Sequence, residues 1–166
     1  MNDHILLQEI ELFRNIAPEQ IKKVLNISHT VKFHENETIM REGDAGDSMY
    51  ILMEGTVEVV KSLMISDMDD EDRSKIFTRL DAEHHAVFGE IALLEEQKRT
   101  ATVKALTNCL VYEIKRGDFL RLAEKDCELG YRILLNLARI IGTRLRKANE
   151  DTIKLTTALC MILEED

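Results

Sequence analysis

The chain has 166 residues and a mass of 19.1 kDa, which allows one domain of ordinary size with a helical extension and makes a multi-domain enzyme unexpected. With 45% hydrophobic and 32% charged residues, it is predicted to be a soluble globular protein rather than a disordered chain. The 22 Lys and Arg against 31 Asp and Glu give a net charge of −9. That charge argues against nucleic acid as a partner, although a local basic patch can still hold a small anion.

Cysteine usage and hydropathy bear on the compartment. Cys109, Cys127 and Cys160 are widely spaced and odd in number, which is typical of a reducing environment. No apolar stretch reaches the length of a membrane span, and the first residues lack a basic region followed by an apolar one. We therefore expect a cytoplasmic protein with no membrane partner.

Helices are predicted at the start of the chain. Apolar residues between positions 3 and 13 indicate a first short helix. Pro18 and Glu19, followed by apolar residues at helical spacing, mark the first turn of a second helix.

From Thr30 to Ile114 the pattern changes to short apolar runs rich in β-branched residues and separated by glycine. Many short strands at close spacing predict a barrel or jelly roll. The acidic run at residues 66–73 interrupts this pattern, and we interpret it as a solvated hairpin loop. The alternative, a metal site, is disfavoured because the run lacks the turn glycine and distal Glu of a calcium loop. His84 and His85 lie in a polar loop and are expected to face solvent rather than to bind metal or sense pH.

Beyond Arg116 the helical period returns, first in a short helix and then in a long one that begins near Leu129. The long helix carries a heptad seam of alternating spacings of four and three. Its members are Leu134, Ala138, Ile141, Leu145, Ala148, Thr152, Leu155, Leu159 and Ile162. This seam predicts a homodimer through the C-terminal helix; the alternative is a helix packed only on its own barrel. We divide the chain into a β-barrel domain with N-terminal helices (1–128) and a dimerisation and lid helix (129–166).

The segment from Phe88 to Val103 carries the candidate chemistry. Gly89 and Glu90 open a short helical turn, whose free amides form an anion site. Arg99 follows nine residues after Glu90 and supplies a forked, permanently charged donor for a phosphate. A carboxylate repels phosphate, so Glu90 is expected to accept a hydrogen bond from a hydroxyl beside it. A ligand with a phosphate and an adjacent sugar hydroxyl fits this pair.

These residues resemble the cyclic-nucleotide-binding domain family, which includes catabolite activators, regulatory subunits of cyclic-AMP-dependent kinase and cyclic-nucleotide-gated channels. Phe-Gly-Glu-Ile-Ala-Leu from Phe88 and Arg-Thr-Ala-Thr-Val from Arg99 match the family signature, as do the upstream turns at Gly43, Gly46 and Gly55. The resemblance covers about Leu12 to Asp151. It implies an α+β, mainly β fold: an eight-stranded jelly-roll-like barrel flanked by N-terminal helices and a long C-terminal helix.

The resemblance also implies site residues. Glu90 would accept from the ribose 2′-hydroxyl and Arg99 would bind the cyclic phosphate. The cradle around the phosphate would be completed by Gly89, Ile91, Ala92 and Thr100. Val59 and Phe77 would line the sugar and base. On the long helix, Arg144 would pair with Glu90, and Asn149 would contact the base, in this chain or across a dimer.

The sequence departs from the family pattern at Lys98, where a Pro is common, and in residues 81–87, which lack a common glycine. No helix-turn-helix segment follows the long helix in this sequence, so direct control of transcription is not expected. The leading hypothesis is a non-enzymatic sensor that binds cyclic AMP, or alternatively cyclic GMP, without a metal, and acts on an unidentified effector protein.

Two other functions compete with the sensor hypothesis. One is a degenerate barrel kept for protein interaction or dimerisation, in which Glu90 and Arg99 form only a surface ion pair. The other is a cupin-like metalloenzyme, which is disfavoured because the five histidines form no His-x-His cluster.

Overall fold

The computed structural model describes residues 7–62, 74–82, 86–96 and 98–164. Eight strands form its centre: β1 (Ser28–Phe33), β2 (Thr38–Met40), β3 (Ser48–Glu54), β4 (Thr56–Ser62), β5 (Ser74–Asp81), β6 (Val87–Phe88), β7 (Thr102–Ala105) and β8 (Cys109–Lys115). Four helices accompany them: α1 (Pro18–Leu25), α2 (Ile91–Leu94), α3 (Arg116–Lys125) and α4 (Cys127–Glu164). The predicted mainly β fold with flanking helices and a long C-terminal helix is confirmed.

The strands form two antiparallel four-stranded sheets, in the orders β1-β8-β3-β6 and β2-β7-β4-β5. Within the described ranges, these sheets do not join into one closed barrel. Leu52 and Val111 of the first sheet and Val57 and Val103 of the second are almost completely buried in one apolar cluster. The two sheets therefore share a core, and β6 at the edge of the first sheet leads directly into α2.

A second apolar cluster joins the first sheet to the helices. Met49 and Ile51 of β3 pack there with Phe119 of α3 and with Leu129 and Ile133 of α4. The first half of α4 thus belongs to the core of the folded unit. The division of the chain between residues 128 and 129 stays a prediction.

The N-terminal segment departs from its prediction as a helix over residues 3–13 from residue 8 onward, and residues 3–6 lie outside the described part of the chain. Leu7 is helical, residues 8–10 form a turn and a bend, and a 3₁₀ turn follows at Glu11–Phe13. Leu7, Ile10, Leu12 and Phe13 are all at most 2% exposed, so apolar side chains on several sides of the segment are buried together. A regular amphipathic helix would bury one face only, which explains the irregular backbone.

The helices α1 and α4 begin close to their predicted positions. Pro18 is the first residue of α1, where its missing N–H costs no hydrogen bond. The long helix begins at Cys127, two residues before the expected start. Asp126 precedes it and accepts a hydrogen bond from the Leu129 amide at 3.1 Å, as an N-terminal cap does.

The heptad seam of α4 lies largely in solvent. Leu134, Leu145, Leu155, Leu159 and Ile162 are between 40% and 73% exposed. The core side of the helix is instead formed by residues such as Leu137 and Ile140. The predicted loop at residues 66–73 and the pair His84 and His85 lie outside the described residues.

Candidate functional site

Backbone hydrogen bonds fix the position of Arg99 at the edge of the second sheet. Its amide donates to the Asp44 carbonyl at 2.8 Å, and its carbonyl accepts from the Gly43 amide at 2.9 Å. Ala45 and Lys98 form an antiparallel bridge beside them. The loop before β3 thus holds the backbone of Arg99 on both sides.

The Arg99 side chain points inward and is only 8% exposed. Its Nη1 donates to the Ser48 carbonyl at 2.6 Å and to the Gly89 carbonyl at 3.4 Å, and its Nη2 donates to the Ser48 hydroxyl at 3.2 Å. Its guanidinium carbon lies 5.6 Å from the centre of the Tyr50 ring, within the range of a cation–π contact. Ser48 and Tyr50 therefore hold the guanidinium in place.

A short polar chain lies beneath this guanidinium. The Ser48 hydroxyl contacts the Tyr50 hydroxyl at 3.2 Å, and the Tyr50 hydroxyl donates to a Glu113 carboxylate oxygen at 3.2 Å. The Tyr50 ring stacks on Phe88 with centroids 5.2 Å apart. Burial raises the pKa of Tyr50 above its ordinary value, with a smaller raising effect from the Glu113 charge. The tyrosine thus stays a neutral hydrogen-bond donor to Glu113 at physiological pH.

Gly89 connects β6 to α2 beside the guanidinium. Its φ is +71°, a conformation that glycine adopts without strain. A Cβ at this position would lie 2.9 Å from Nη1 of Arg99 and 3.2 Å from the Ser48 carbonyl oxygen. Both the turn and the close approach therefore require glycine here.

Glu90, the next residue, is 6% exposed and is bonded to the long helix. Arg144 of α4 donates from Nη1 to Oε1 of Glu90 at 2.6 Å and from Nη2 to the Val87 carbonyl. The ion pair expected from the sequence between Arg144 and Glu90 is thus present. Since the Arg144 side chain is 42% exposed, solvent weakens this pair relative to a buried one.

Glu90 and Arg99 line one shared cavity. Six residues predicted for the site come together around it: Gly89, Glu90, Ile91, Ala92, Arg99 and Thr100. Met40 and Lys98 complete its lining. The cavity measures about 40 Å³, far below the 300 to 1,000 Å³ of typical ligand pockets. In this conformation it has room only for a few water molecules.

The other predicted site residues lie outside this lining. Val59 packs against the core between the sheets, and Asn149 is exposed on α4. Arg144 reaches the site through Glu90. Phe77 lies in β5, and its side chain is outside the described part of the structure. The amide of Ala92, expected in the phosphate cradle, donates to the Gly89 carbonyl at 3.2 Å.

Ser48 and Tyr50 were not predicted as site residues. They lie in an apolar strand pattern about 50 positions before Arg99, so no local motif connects them to it. The sequence offered one indication of their role, which is the polar residue Ser48 at the start of an otherwise apolar run.

The fold and much of the sequence match known proteins. The family model described as "Cyclic nucleotide-binding domain" matches residues 30–126, more than half of the chain. The chain belongs to the cyclic nucleotide-binding domain family. In this domain, the matched region runs from β1 to the end of α3 and contains both Glu90 and Arg99.

Relatives of the domain include regulatory proteins and kinases. The cAMP-dependent protein kinase regulatory subunit of Emericella nidulans is 34% identical over 116 residues, which are 70% of this chain and 26% of that protein. The cGMP-dependent protein kinase, isozyme 1, of Drosophila melanogaster is 32% identical over 126 residues, 74% of this chain and 15% of that protein. The chain thus spans about a quarter or less of these relatives.

Among solved structures, the catabolite activator protein of Thermus thermophilus matches with a TM-score of 0.74 and 25% identity. The match covers 88% of this chain and 63% of that one. Within the described ranges, no helix is both long and apolar enough to cross a membrane. The same residues contain no group of three or more side chains arranged to hold a metal ion.

Proposed function

We propose that this chain is a non-enzymatic sensor that binds a cyclic nucleotide, with cyclic AMP preferred, and transmits the binding event to a partner protein through α4. One observation carries the proposal: Arg99 and Glu90 line the same cavity beside Gly89. A buried cation and a buried carboxylate at one cavity suit a ligand that has a phosphate next to a hydroxyl.

In this proposal, the phosphate binds Arg99. The guanidinium now donates to two neutral carbonyls and one hydroxyl. A charged phosphate oxygen is a stronger acceptor than these groups, so it can replace part of this set. The cavity of about 40 Å³ has to widen as the ligand enters, and the amide of Ala92 can turn from the Gly89 carbonyl to the phosphate.

The ribose then binds Glu90. Arg144 occupies Oε1 of this carboxylate, which has two oxygens and several acceptor positions. A ribose 2′-hydroxyl at the same carboxylate therefore shares or displaces the bond from α4. Binding changes the contact between the site and the helix, and this change is the signal that a partner protein would read.

The preference for cyclic AMP rests on the relatives of the chain. Relatives with 31–34% identity include several cAMP-dependent kinase regulatory subunits, and one at 32% is a cGMP-dependent kinase. Thr100 lies at the rim of the cavity with an exposed side chain and can donate to either nucleotide. Titration with both nucleotides decides the ligand.

Calorimetry with cyclic AMP and cyclic GMP tests the function. We expect saturable binding by the parent chain and a loss of about 10- to 100-fold or more in Arg99→Ala, because hydrogen bonds to charged groups contribute about 1.5–3 kcal/mol. Arg121→Ala is the matched control, since Arg121 is exposed on α3 and bonds only to Asp118 among the hydrogen bonds described. Equal affinity of Arg99→Ala and the parent would contradict the assignment of the phosphate site.

We also propose that the chain forms a homodimer through α4, with Asn149 placed to contact the base. The exposed apolar seam that begins at Leu134 supports the dimer. Light scattering at micromolar concentration should give twice the monomer mass of 19.1 kDa. Leu145→Glu with Leu159→Glu should give monomers, whereas Lys147→Glu outside the seam should not. A monomeric parent would contradict the dimer and a contact of Asn149 across it.

A second candidate function is a barrel that binds a protein without a nucleotide. The small cavity and the engagement of Arg99 by Ser48 and of Glu90 by Arg144 favour it. The same titration separates the two functions, because this candidate predicts no heat of binding from either cyclic nucleotide.

A further inference from the structure

Three arginines meet in a groove on the side of α4, away from the proposed nucleotide site. Arg139 and Arg146 of α4 form one wall of the groove, and Arg14, just after the 3₁₀ turn at Glu11–Phe13, forms the other. The groove has a volume of about 420 Å³. The chain has a net charge of −9, so three cations in one groove make a positively charged patch on a negatively charged protein.

These guanidiniums are available to a partner. Arg139 donates to the Asn136 side chain at 3.1 Å and Arg146 to the Thr143 hydroxyl at 3.0 Å. Within the residues that the structure describes, none of the three arginines forms a salt bridge with Asp or Glu. Each could therefore bind an anion without breaking an existing ion pair.

Buried hydrogen bonds hold the segment that carries Arg14 in place against α4. Asn136 is 2% exposed, and its side-chain amide donates to the Leu12 and Arg14 carbonyls, both at 2.9 Å. These two bonds fix the segment that carries Arg14 against α4. The position of the cations is thus set by a buried contact and not by the charged side chains alone.

The spacing of the charges selects the ligand. Arg139 and Arg146 are seven residues apart, which is two helical turns and about 10.5 Å along the axis. That distance exceeds the span of a single phosphate group, but it equals the spacing of carboxylates seven residues apart on a second helix. Between them the floor consists of Leu135, Ala138 and Gly142, of which Ala138 and Gly142 are small enough to let another backbone approach closely.

We propose that this groove docks an acidic amphipathic helix of a partner protein. Carboxylates along one face of that helix would pair with Arg14, Arg139 and Arg146, and its apolar side chains would cover the floor. Glu11 also lines the groove, so the bound helix would present a neutral or basic residue at that edge. Ala138 lines this groove and also belongs to the heptad seam, so the two surfaces adjoin on α4.

The probe is a fluorescein-labelled, Ala-rich helical peptide with Glu and Leu along one face, measured by fluorescence polarisation against the full chain. We expect saturable binding that weakens as salt is raised. Arg146→Glu and Arg14→Glu should each weaken it by about tenfold, equivalent to about 1.4 kcal/mol. Lys147→Glu is the matched control, because Lys147 is exposed on the same helix and does not line the groove.

A neutral variant tests shape separately from charge. A Cβ at Gly142 would meet only the end of the Arg146 side chain, at 3.9 Å, so Gly142→Leu should fold while filling the floor of the groove. It should weaken the peptide as the charge reversals do. In calorimetry, Arg146→Glu should bind cyclic AMP with the same affinity as the parent. The docking proposal and the nucleotide proposal can therefore fail independently of each other.

Several results would overturn docking of an acidic helix. They are no binding of the peptide, equal binding of a peptide with Gln in place of Glu, and an equal loss in Lys147→Glu and Arg146→Glu. Inorganic tripolyphosphate that binds the groove as tightly as the peptide would show a small-anion site instead.

Discussion

Gly46 offers a direct test of how Arg99 is held. A Cβ built at Gly46 would lie 2.3 Å from Nε of Arg99 and 2.6 Å from its Cδ and Cζ. To reach an ordinary contact of 3.4 Å, the Arg99 side chain has to move by about 1 Å. Such a shift would lengthen the bond from Nη1 to the Ser48 carbonyl, now 2.6 Å, beyond hydrogen-bond distance.

The expected cost of Gly46→Ala follows from these bonds. Hydrogen bonds of charged groups contribute about 1.5–3 kcal/mol each, and the guanidinium makes two good bonds to Ser48. We expect Gly46→Ala to lower the free energy of unfolding by about 2–3 kcal/mol in urea titrations. If Arg99 binds the phosphate, the affinity for cyclic AMP should fall by about 10- to 100-fold.

Gly43→Ala is the matched control for this substitution. Gly43 has a φ of +87°, and a Cβ there would meet nothing within 4 Å. Alanine should therefore cost about 1–2 kcal/mol of backbone strain. Because it keeps the amide that donates to the Arg99 carbonyl, it should leave the Arg99 side chain and the ligand affinity unchanged. In an Arg99→Ala background, Gly46→Ala should cost little, because the clashing side chain is gone. An undiminished cost in that background, or parental stability of Gly46→Ala itself, would refute the reasoning.

Two further predictions concern α4. Asn136→Ala should lower the free energy of unfolding by about 2–4 kcal/mol in urea, because the Leu12 and Arg14 carbonyls lose their buried donor; a change below about 0.5 kcal/mol would contradict that role. The hydrogen bond from Lys23 is the main cause that lowers the pKa of Asp126. Its stabilisation is complete above the unfolded-state pKa and is lost as the pH falls through the lower folded-state pKa. Asp126→Asn should therefore be less stable than the parent near neutral pH and lose less stability on acidification, and parallel pH profiles would argue against this linkage.

Local sequence patterns predicted most of the elements that bury one regular face. The β-branched runs correctly predicted most strands, and Pro18 correctly predicted the start of α1. The two-residue strand at Val87–Phe88 was not predicted as a strand, because a run of two carries no measurable alternation. Its place is set by pairing with Tyr50 and Ile51, which local pattern does not encode.

The residues of the candidate site also fall into two groups, those in a local motif and those joined only by tertiary packing. Residues of the loop and helical turn around Glu90 were predicted because their motif is local, and the structure gathers six of them at one cavity. The engagement of Arg99 by Ser48 could not be predicted, since 51 positions separate the two residues and only tertiary packing joins them. The small volume of the cavity, about 40 Å³, likewise depends on residues from distant parts of the chain, such as Met40 and Arg99.

The length of α4 gives small movements at the site a large reach. The helix is anchored through Leu129 and Ile133 and by the Arg144 bond to Glu90, and it continues to Glu164 with largely exposed side chains. The 20 residues after Arg144 extend about 30 Å, so a tilt of about 10° at that point would displace the far end by about 5 Å. If the proposed displacement of Arg144 from Glu90 tilts α4, the exposed end of the helix would therefore move by several ångströms.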